Sequence, residues 1–239
     1  MITLGVDLAA DPSRTAVVRI DWTGGRAVVV DVAVPACDAQ IVDAALGADK
    51  IGIDCPLGWP DAFVDFVAQH RRGTADAAAD TIAARRRLVY RATDLHCLQH
   101  GLRPLSVSAD RIAHAALRAA ALLARLGEPD RSGAGRVVEA YPAGSLKIWG
   151  LPYRSYKNDP ARIAASLSDL QRRVGLEFAT GTRATCAGTD HAFDALVVAL
   201  TARAAALGRT EPPPPETAAL ASREGWISLP DPALDALRG

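Results

Sequence analysis

The stretch Ile2-Thr3-Leu4-Gly5-Val6-Asp7-Leu8 decides the fold. It is an apolar run of strand length without polar alternation, which is how a strand buried on both faces reads. It ends in a carboxylate, Asp7, followed by a small-residue turn, Ala9-Ala10-Asp11-Pro12. In an open α/β sheet, a buried strand with an acid at its C-terminal end delivers charge to the crevice at the sheet edge. Taken alone, Asp7 reads first as a turn opener. A functional reading needs the same arrangement elsewhere in the chain.

Arg14–Trp22 reads as a second strand, Gly24-Gly25 as a hairpin turn and Arg26–Val34 as the return strand. Cys37–Leu46 follows as a short helix with Asp38 as its cap. Lys50-Ile51-Gly52-Ile53-Asp54-Cys55-Pro56 is another short apolar strand ending in an acid, and Pro56, Gly58 and Pro60 shape a tight loop behind it. Residues 61–133 contain no good strand. Asp61–His70, Asp76–Tyr90 and Ser108–Leu126 have helical periodicity, and the whole stretch reads as a helical insertion after the fourth strand. Gly127–Gly135 is a loop. Arg136–Pro142 is the next apolar strand, with Glu139 near its end. Helices are expected at Ala143–Trp149, Pro160–Val174 and Thr189–Leu207, the last stopped by Gly208. Pro212–Pro215 is a stiff linker, and Glu224–Leu229 a final short strand or packed tail. The expected fold class is therefore α/β: one domain over residues 1–239, with a five-stranded mixed sheet flanked by helices. This is the element order of the ribonuclease H-like fold.

The 239 residues, with 27 basic and 27 acidic side chains, fit one such domain. A chain of this length buries roughly 70–75% of its unfolded surface without a covalent staple. Cys37, Cys55, Cys97 and Cys186 are scattered, as in a cytoplasmic protein with reduced thiols. There is no basic region before an apolar N-terminal run, and no apolar run reaches membrane-spanning length. Zero net charge argues against broad nonspecific duplex binding but permits a local basic groove.

Asp7, Asp54 and Glu139 end three different strands, and Asp190 and Asp194 share one face at the start of a helix. If the three strands are parallel neighbours, their acids converge at one edge. Gathered carboxylates repel and raise each other's pKa, so such a cluster calls for a cation. Hard oxygen ligands select Mg²⁺ or Mn²⁺, and two such ions suit a phosphodiester displacement. In this reading Asp7 bridges the ions, Asp54 or Glu139 holds one, and Asp194, with or without Asp190, holds the other. Each acid also has a structural reading as a turn or cap residue, Asp190 above all. His191 reads either as a proton donor to the leaving group or as a partly exposed histidine in a first helical turn. His96, Cys97 and His100 have a metal-like spacing but lack the other half of a zinc site, and read as structural.

Arg71-Arg72, Arg85-Arg86-Arg87 and Arg91 are either a solvated face or phosphate contacts leaning over the acidic crevice. Tyr153-Arg154-Ser155-Tyr156-Lys157 interleaves aromatics with cations, which suits base stacking and backbone contact as well as an ordinary surface loop. Arg91, Tyr156 and Lys157 are the expected substrate-binding residues.

Gly5-Val6-Asp7, Ile53-Asp54-Cys55-Pro56-Leu57-Gly58, Arg91-x-Thr93-Asp94, Glu139-Ala140-Tyr141-Pro142, Tyr156-Lys157 and Asp190-x-x-x-Asp194-Ala195 occur in this order. With these motifs the chain resembles, over roughly residues 2–230, the predicted nucleases catalogued as domain of unknown function 429. The resemblance implies a ribonuclease H-like fold similar to Holliday-junction resolvases, with Asp7, Asp54 and Asp194 matching the resolvase-type acids and Glu139 outside that triad. The implied substrate is DNA or RNA, the implied cofactor Mg²⁺ or Mn²⁺, and a homodimer is the assembly of resolvase-like relatives. Two other functions compete. An ATP-dependent phosphotransferase of the related actin-like fold wants a Gly-rich phosphate hairpin after the first strand, where this chain has Asp7-Leu8-Ala9-Ala10, and a second Asp-x-Gly turn later, which this chain lacks. A catalytically inert nucleic-acid-binding module would keep the fold and some of the acids.

Overall fold

The computed structural model describes residues 1–75 and 79–238. Strands β1 (Ile2–Asp7), β2 (Ala16–Asp21) and β3 (Ala27–Ala33) open the chain, then helix α1 (Asp38–Ala45) and strand β4 (Lys50–Asp54). Helices α2 (Asp61–Arg71), α3 (Ile82–Val89), α4 (Ala92–Gln99) and α5 (Ala113–Leu126) fill the region expected to be helical. Strand β5 (Val137–Glu139), helices α6 (Pro142–Ile148) and α7 (Pro160–Val174), strand β6 (Leu176–Phe178) and helices α8 (Thr182–Gly188), α9 (Asp190–Ala206) and α10 (Ala218–Glu224) complete it.

The six strands form one sheet in the order β5-β4-β1-β2-β3-β6. β1, β2 and β3 are antiparallel neighbours, whereas β4 lies parallel to β1, β5 parallel to β4, and β6 parallel to β3. The five expected strands are present, and β6 is a correction to their number. β6 is three residues long with a charged Glu177 at its centre, too short to carry an apolar period, and it depends on β3 for its pairing. α4, α8 and α10 are likewise additions. Of the helix expected at Asp76–Tyr90, residues 76–78 lie outside the described residues, and the described helix begins at Ile82 behind Thr81, whose hydroxyl accepts from the Ala84 amide. Glu224–Leu229 is a packed tail, joined to the sheet by a single bridge between Glu139 and Ile227.

Each sheet face carries its own core. α1 and α5 cover one face with Ile41, Ala45, Ala116, Ala119 and Leu122 against Leu4, Val6, Ile51 and Ile53. α7, α8 and α9 cover the other with Ile163, Leu167, Cys186, Phe193 and Leu196 against Ala16, Val18, Ile20 and Val29. α9 is buried almost all round, as its Ala/Leu/Val composition requires. Among the described residues, no helix is long and apolar enough to cross a membrane.

α9 reaches the sheet because two glycines let it. Gly5 and Gly52 are register partners on the parallel strands β1 and β4. A Cβ on Gly5 would stand 2.0 Å from the Ala195 carbonyl oxygen and 2.3 Å from the Ala199 amide nitrogen. A Cβ on Gly52 would stand 2.7 Å from Val198 and 2.8 Å from its carbonyl oxygen. The helix backbone therefore rests directly on β1 at Gly5, and on β4 the Val198 side chain and carbonyl fill the space above Gly52. Gly5→Ala is expected to cost at least about 3 kcal/mol, because backbone and not a flexible side chain must move. Gly188→Ala, with open space around the added methyl, is expected to cost nothing measurable, and urea unfolding of the two variants checks the contrast.

Candidate functional site

Side chains two residues apart on a strand share a face. Gly5 faces α9, so Asp7 does too; Gly52 faces α9, so Asp54 does too. Asp7 and Asp54 are themselves register partners at the C-terminal ends of β1 and β4. α9 enters over the same rim, and its Asp194 is fully buried there. One carboxylate oxygen from each of Asp7, Asp54 and Asp194 lies within 4.8 Å of the others.

The surroundings hold the three acids unequally. Tyr156 donates its hydroxyl to Asp194 Oδ1 at 2.6 Å, and Lys157 Nζ stands 2.7 Å from Asp194 Oδ2 as an ion pair. His191 Nδ1 lies 2.7 Å from Asp7 Oδ2, within hydrogen-bond reach. Burial pushes the Asp54 carboxyl well above the usual range, and the charges of Asp7 and Asp194 push it the same way. Burial and then the Asp7 charge outweigh the lowering effects of Lys157 and Tyr156, leaving Asp194 at about 6. Burial of Lys157 opposes its charge, but Asp194 and Asp54 overcome this and its pKa is raised. His191 is also raised, chiefly by its hydrogen bond to Asp7. This is a site with more negative charge than its own cations balance.

The structure does not bring Glu139 or Asp190 into this cluster. β5 pairs with β4 so that Glu139 is opposite Ile53, one residue out of step with Asp54. A one-residue offset turns a side chain to the other face. Glu139 there accepts both guanidinium nitrogens of Arg91, Nη2 on Oε1 and Nη1 on Oε2, each at 2.7 Å, and the Leu57 amide at 2.9 Å. Arg91 also bonds Asp94 Oδ1 at 2.9 Å and the Glu224 carbonyl at 3.1 Å. Asp190 sits in the first turn of α9, its Oδ1 4.0 Å from His191 Nε2.

Two of the expected substrate contacts are buried. Arg91 borders the cleft but is 1% exposed, with its guanidinium paired to Glu139 and Asp94. Tyr156 is 2% exposed, its ring edge-on to Phe193 at 5.7 Å and its hydroxyl on Asp194. Lys157 remains half exposed. A cleft of about 310 Å³ adjoins the cluster, lined by Asp54, Arg103, Leu105, Tyr141 and Lys157 among others. Arg103 had no motif to mark it. The twin Gly-x-Asp of Gly5-Val6-Asp7 and Gly52-Ile53-Asp54 was the unused signal for how the acids meet.

Fold and site together define an α/β protein whose central parallel strands end in a carboxylate cluster completed from a buried helix. The chain matches, over residues 5–219, the family model described as "Protein of unknown function (DUF429)", and it belongs to that family. No curated protein and no solved structure matches it.

A folded-state pKa above the unfolded one gives stability that is complete below the unfolded pKa and lost as pH rises through the folded pKa. For Asp194 that loss runs from the usual carboxylate range up to about 6. Asp54→Asn removes the corresponding penalty at Asp54. In EDTA at about pH 8 it is expected to raise the melting temperature by about 2–4 °C, the equivalent of about 1 kcal/mol. Near pH 4 the gain should shrink, which thermal melts across the range would read. Arg91→Met leaves Glu139 and Asp94 buried without their cation, and is expected to cost about 3–5 kcal/mol in urea unfolding.

Proposed function

We propose that this chain is a divalent-metal-dependent nuclease of ribonuclease H-like fold, hydrolysing phosphodiester bonds of DNA or RNA at Asp7, Asp54 and Asp194. The observation that carries the reading is the meeting of these three acids, from β1, β4 and α9, within 4.8 Å. The order β5-β4-β1-β2-β3, with β4 and β5 parallel to β1, supports the fold assignment, with β6 added outside β3.

The donor set fits Mg²⁺ or Mn²⁺: three carboxylates, no sulfur, and a balance of charge that a divalent cation would complete. Asp7, Asp54 and Asp194 would hold the ions, which when bound would polarise the phosphodiester and stabilise the attacking and leaving oxygens. The chain supplies the rest. Tyr156 and Lys157 fix Asp194 in position. Lys157 and Arg103, at the wall of the cleft, would face the phosphates. His191, held by Asp7 through Nδ1, would carry a proton on Nε2 toward the leaving oxygen.

Incubated with Mg²⁺ or Mn²⁺, the protein is expected to cut at least one member of a panel of duplexes, single strands, hybrids and junctions. Asp7→Asn should lower that rate on the order of a thousandfold while the melting temperature in EDTA holds or rises. No cleavage anywhere in the panel with either ion overturns the proposal; affinity without turnover would make the chain a binding module.

A further inference from the structure

A second constellation lies away from the acidic cluster. His96 on α4 and His100, which caps that helix, are four residues apart and so share a helix face. Glu211, from the segment after α9, comes to that face. Its Oε2 is 3.1 Å from His96 Nε2 and 3.4 Å from His100 Nε2. The three donor atoms lie within 4.8 Å of one another.

From these positions we propose that His96, His100 and Glu211 form a Zn²⁺ site that clips α4 to the C-terminal segment. Donors around a tetrahedral ion with bonds of about 2.0–2.2 Å lie roughly 3.3–3.5 Å apart. The 3.4 Å distance from His100 to Glu211 falls on that edge, and the 3.1 Å distance from His96 is short of it by a shift that a side-chain rotation supplies. His96 Nε2 is buried and, among the described residues, makes no hydrogen bond of acceptable geometry, although the carboxylate is beside it. Close atoms not directed at each other are what two ligands of one cation look like. Two imidazoles with one carboxylate select a borderline ion such as Zn²⁺ over Mg²⁺, so this site and the acidic cluster differ in the metal they take.

The ligands are held from outside. The His96 ring packs against Trp226 with centroids 5.0 Å apart and against His100 at 4.7 Å. Trp226 Nε1 donates to the Glu211 carbonyl oxygen at 2.9 Å, fixing the backbone that carries the carboxylate. Three protein ligands leave a fourth position for water or an anion. His100 and Glu211 also border a groove of about 510 Å³ with Thr210, Leu229 and Pro230, which gives that position an approach from solvent. The clip lies along the helix that Arg91 caps, so a bound ion would brace the element that presents Arg91 to Glu139.

The test is Zn²⁺ titration of the full chain, stripped of metal and then held in millimolar Mg²⁺, against a chromophoric chelator. One equivalent of tight Zn²⁺ is expected, with a rise in melting temperature of roughly 5–10 °C at a hundredfold excess over Kd. Glu211→Gln and His100→Gln, both at exposed side chains, should each weaken binding on the order of a hundredfold. The double change Asp7→Asn with Asp194→Asn should leave it intact. Co²⁺ substituted at the site should show the visible absorption of a four-coordinate ion. Absence of a tight equivalent, binding unchanged in Glu211→Gln, or binding lost with the aspartates would each overturn the proposal.

Discussion

The close approach of α9 to β1 and β4 is the constraint on which the rest depends. A helix packed on a sheet normally stands off by the thickness of interleaved side chains. Here the Ala195 carbonyl and the Ala199 amide occupy the space that a Gly5 side chain would need, and Val198 fills the space above Gly52. The helix is consequently sunk into the sheet and covered on its remaining sides by α6, α7 and α8, which is why it is apolar around its circumference. The same descent brings Asp194 level with the ends of β1 and β4. A larger residue at either glycine would lift the helix and separate Asp194 from Asp7, so packing and site geometry are one feature of the sequence.

Two sets of buried acids at neighbouring strand ends meet opposite fates. Glu139 and Asp94 are matched by Arg91 through a planar, bidentate arrangement, and Glu139 also takes the Leu57 amide. Buried charge of that kind is satisfied and structural. Asp7, Asp54 and Asp194 are three acids answered by Lys157 and by a histidine whose charge depends on pH. Burial and mutual repulsion raise the Asp54 and Asp194 pKa values for that reason. Burial raises Glu139 as well, but there the Arg91 guanidinium and the Leu57 amide pull against it, whereas at Asp54 the neighbouring acids push the same way as burial.

The sequence made the first five strands legible because each is an apolar run bounded by Gly, Pro or Asp. It also made the acid-tipped strands legible, but not which acid would face which way. Asp54 and Glu139 look alike in the chain, each closing a short apolar strand. Only the pairing of Glu139 with Ile53 shows that the latter acid is turned from the cluster. The surroundings of Arg91 and Tyr156 were not legible for a related reason. Their types suit phosphate and base contact, yet burial is a property of the fold, and here buried acids are their partners. β6 and α4 escaped notice because a three-residue strand has no readable period, and a helix that buries Thr93 and Asp94 shows little apolar face. Glu211 joins two histidines across a long stretch of chain, a juxtaposition that no local spacing announces.

The wall of the cleft follows from how the tail returns to the sheet. Glu224 accepts the Asp61 amide at 2.8 Å and the Ala92 amide at 3.0 Å, so one carboxylate serves the N-terminal ends of both α2 and α4. Its backbone carbonyl meanwhile receives Arg91, and Thr93 accepts the Ile227 amide at 2.8 Å. Gly225 follows with φ +91°, in a place where a Cβ would come within 2.7 Å of Glu139 Oε2. Insertion, tail and strand end are therefore fastened at one point, next to the loop that leaves Asp54. Groups that must be positioned to within fractions of an ångström need such support from behind. Every guanidinium nitrogen of Arg91 is held in that network, by Asp94 or Glu139, so the strand end and loop beside Asp54 are braced through hydrogen bonds and do not depend on the acidic cluster for their position.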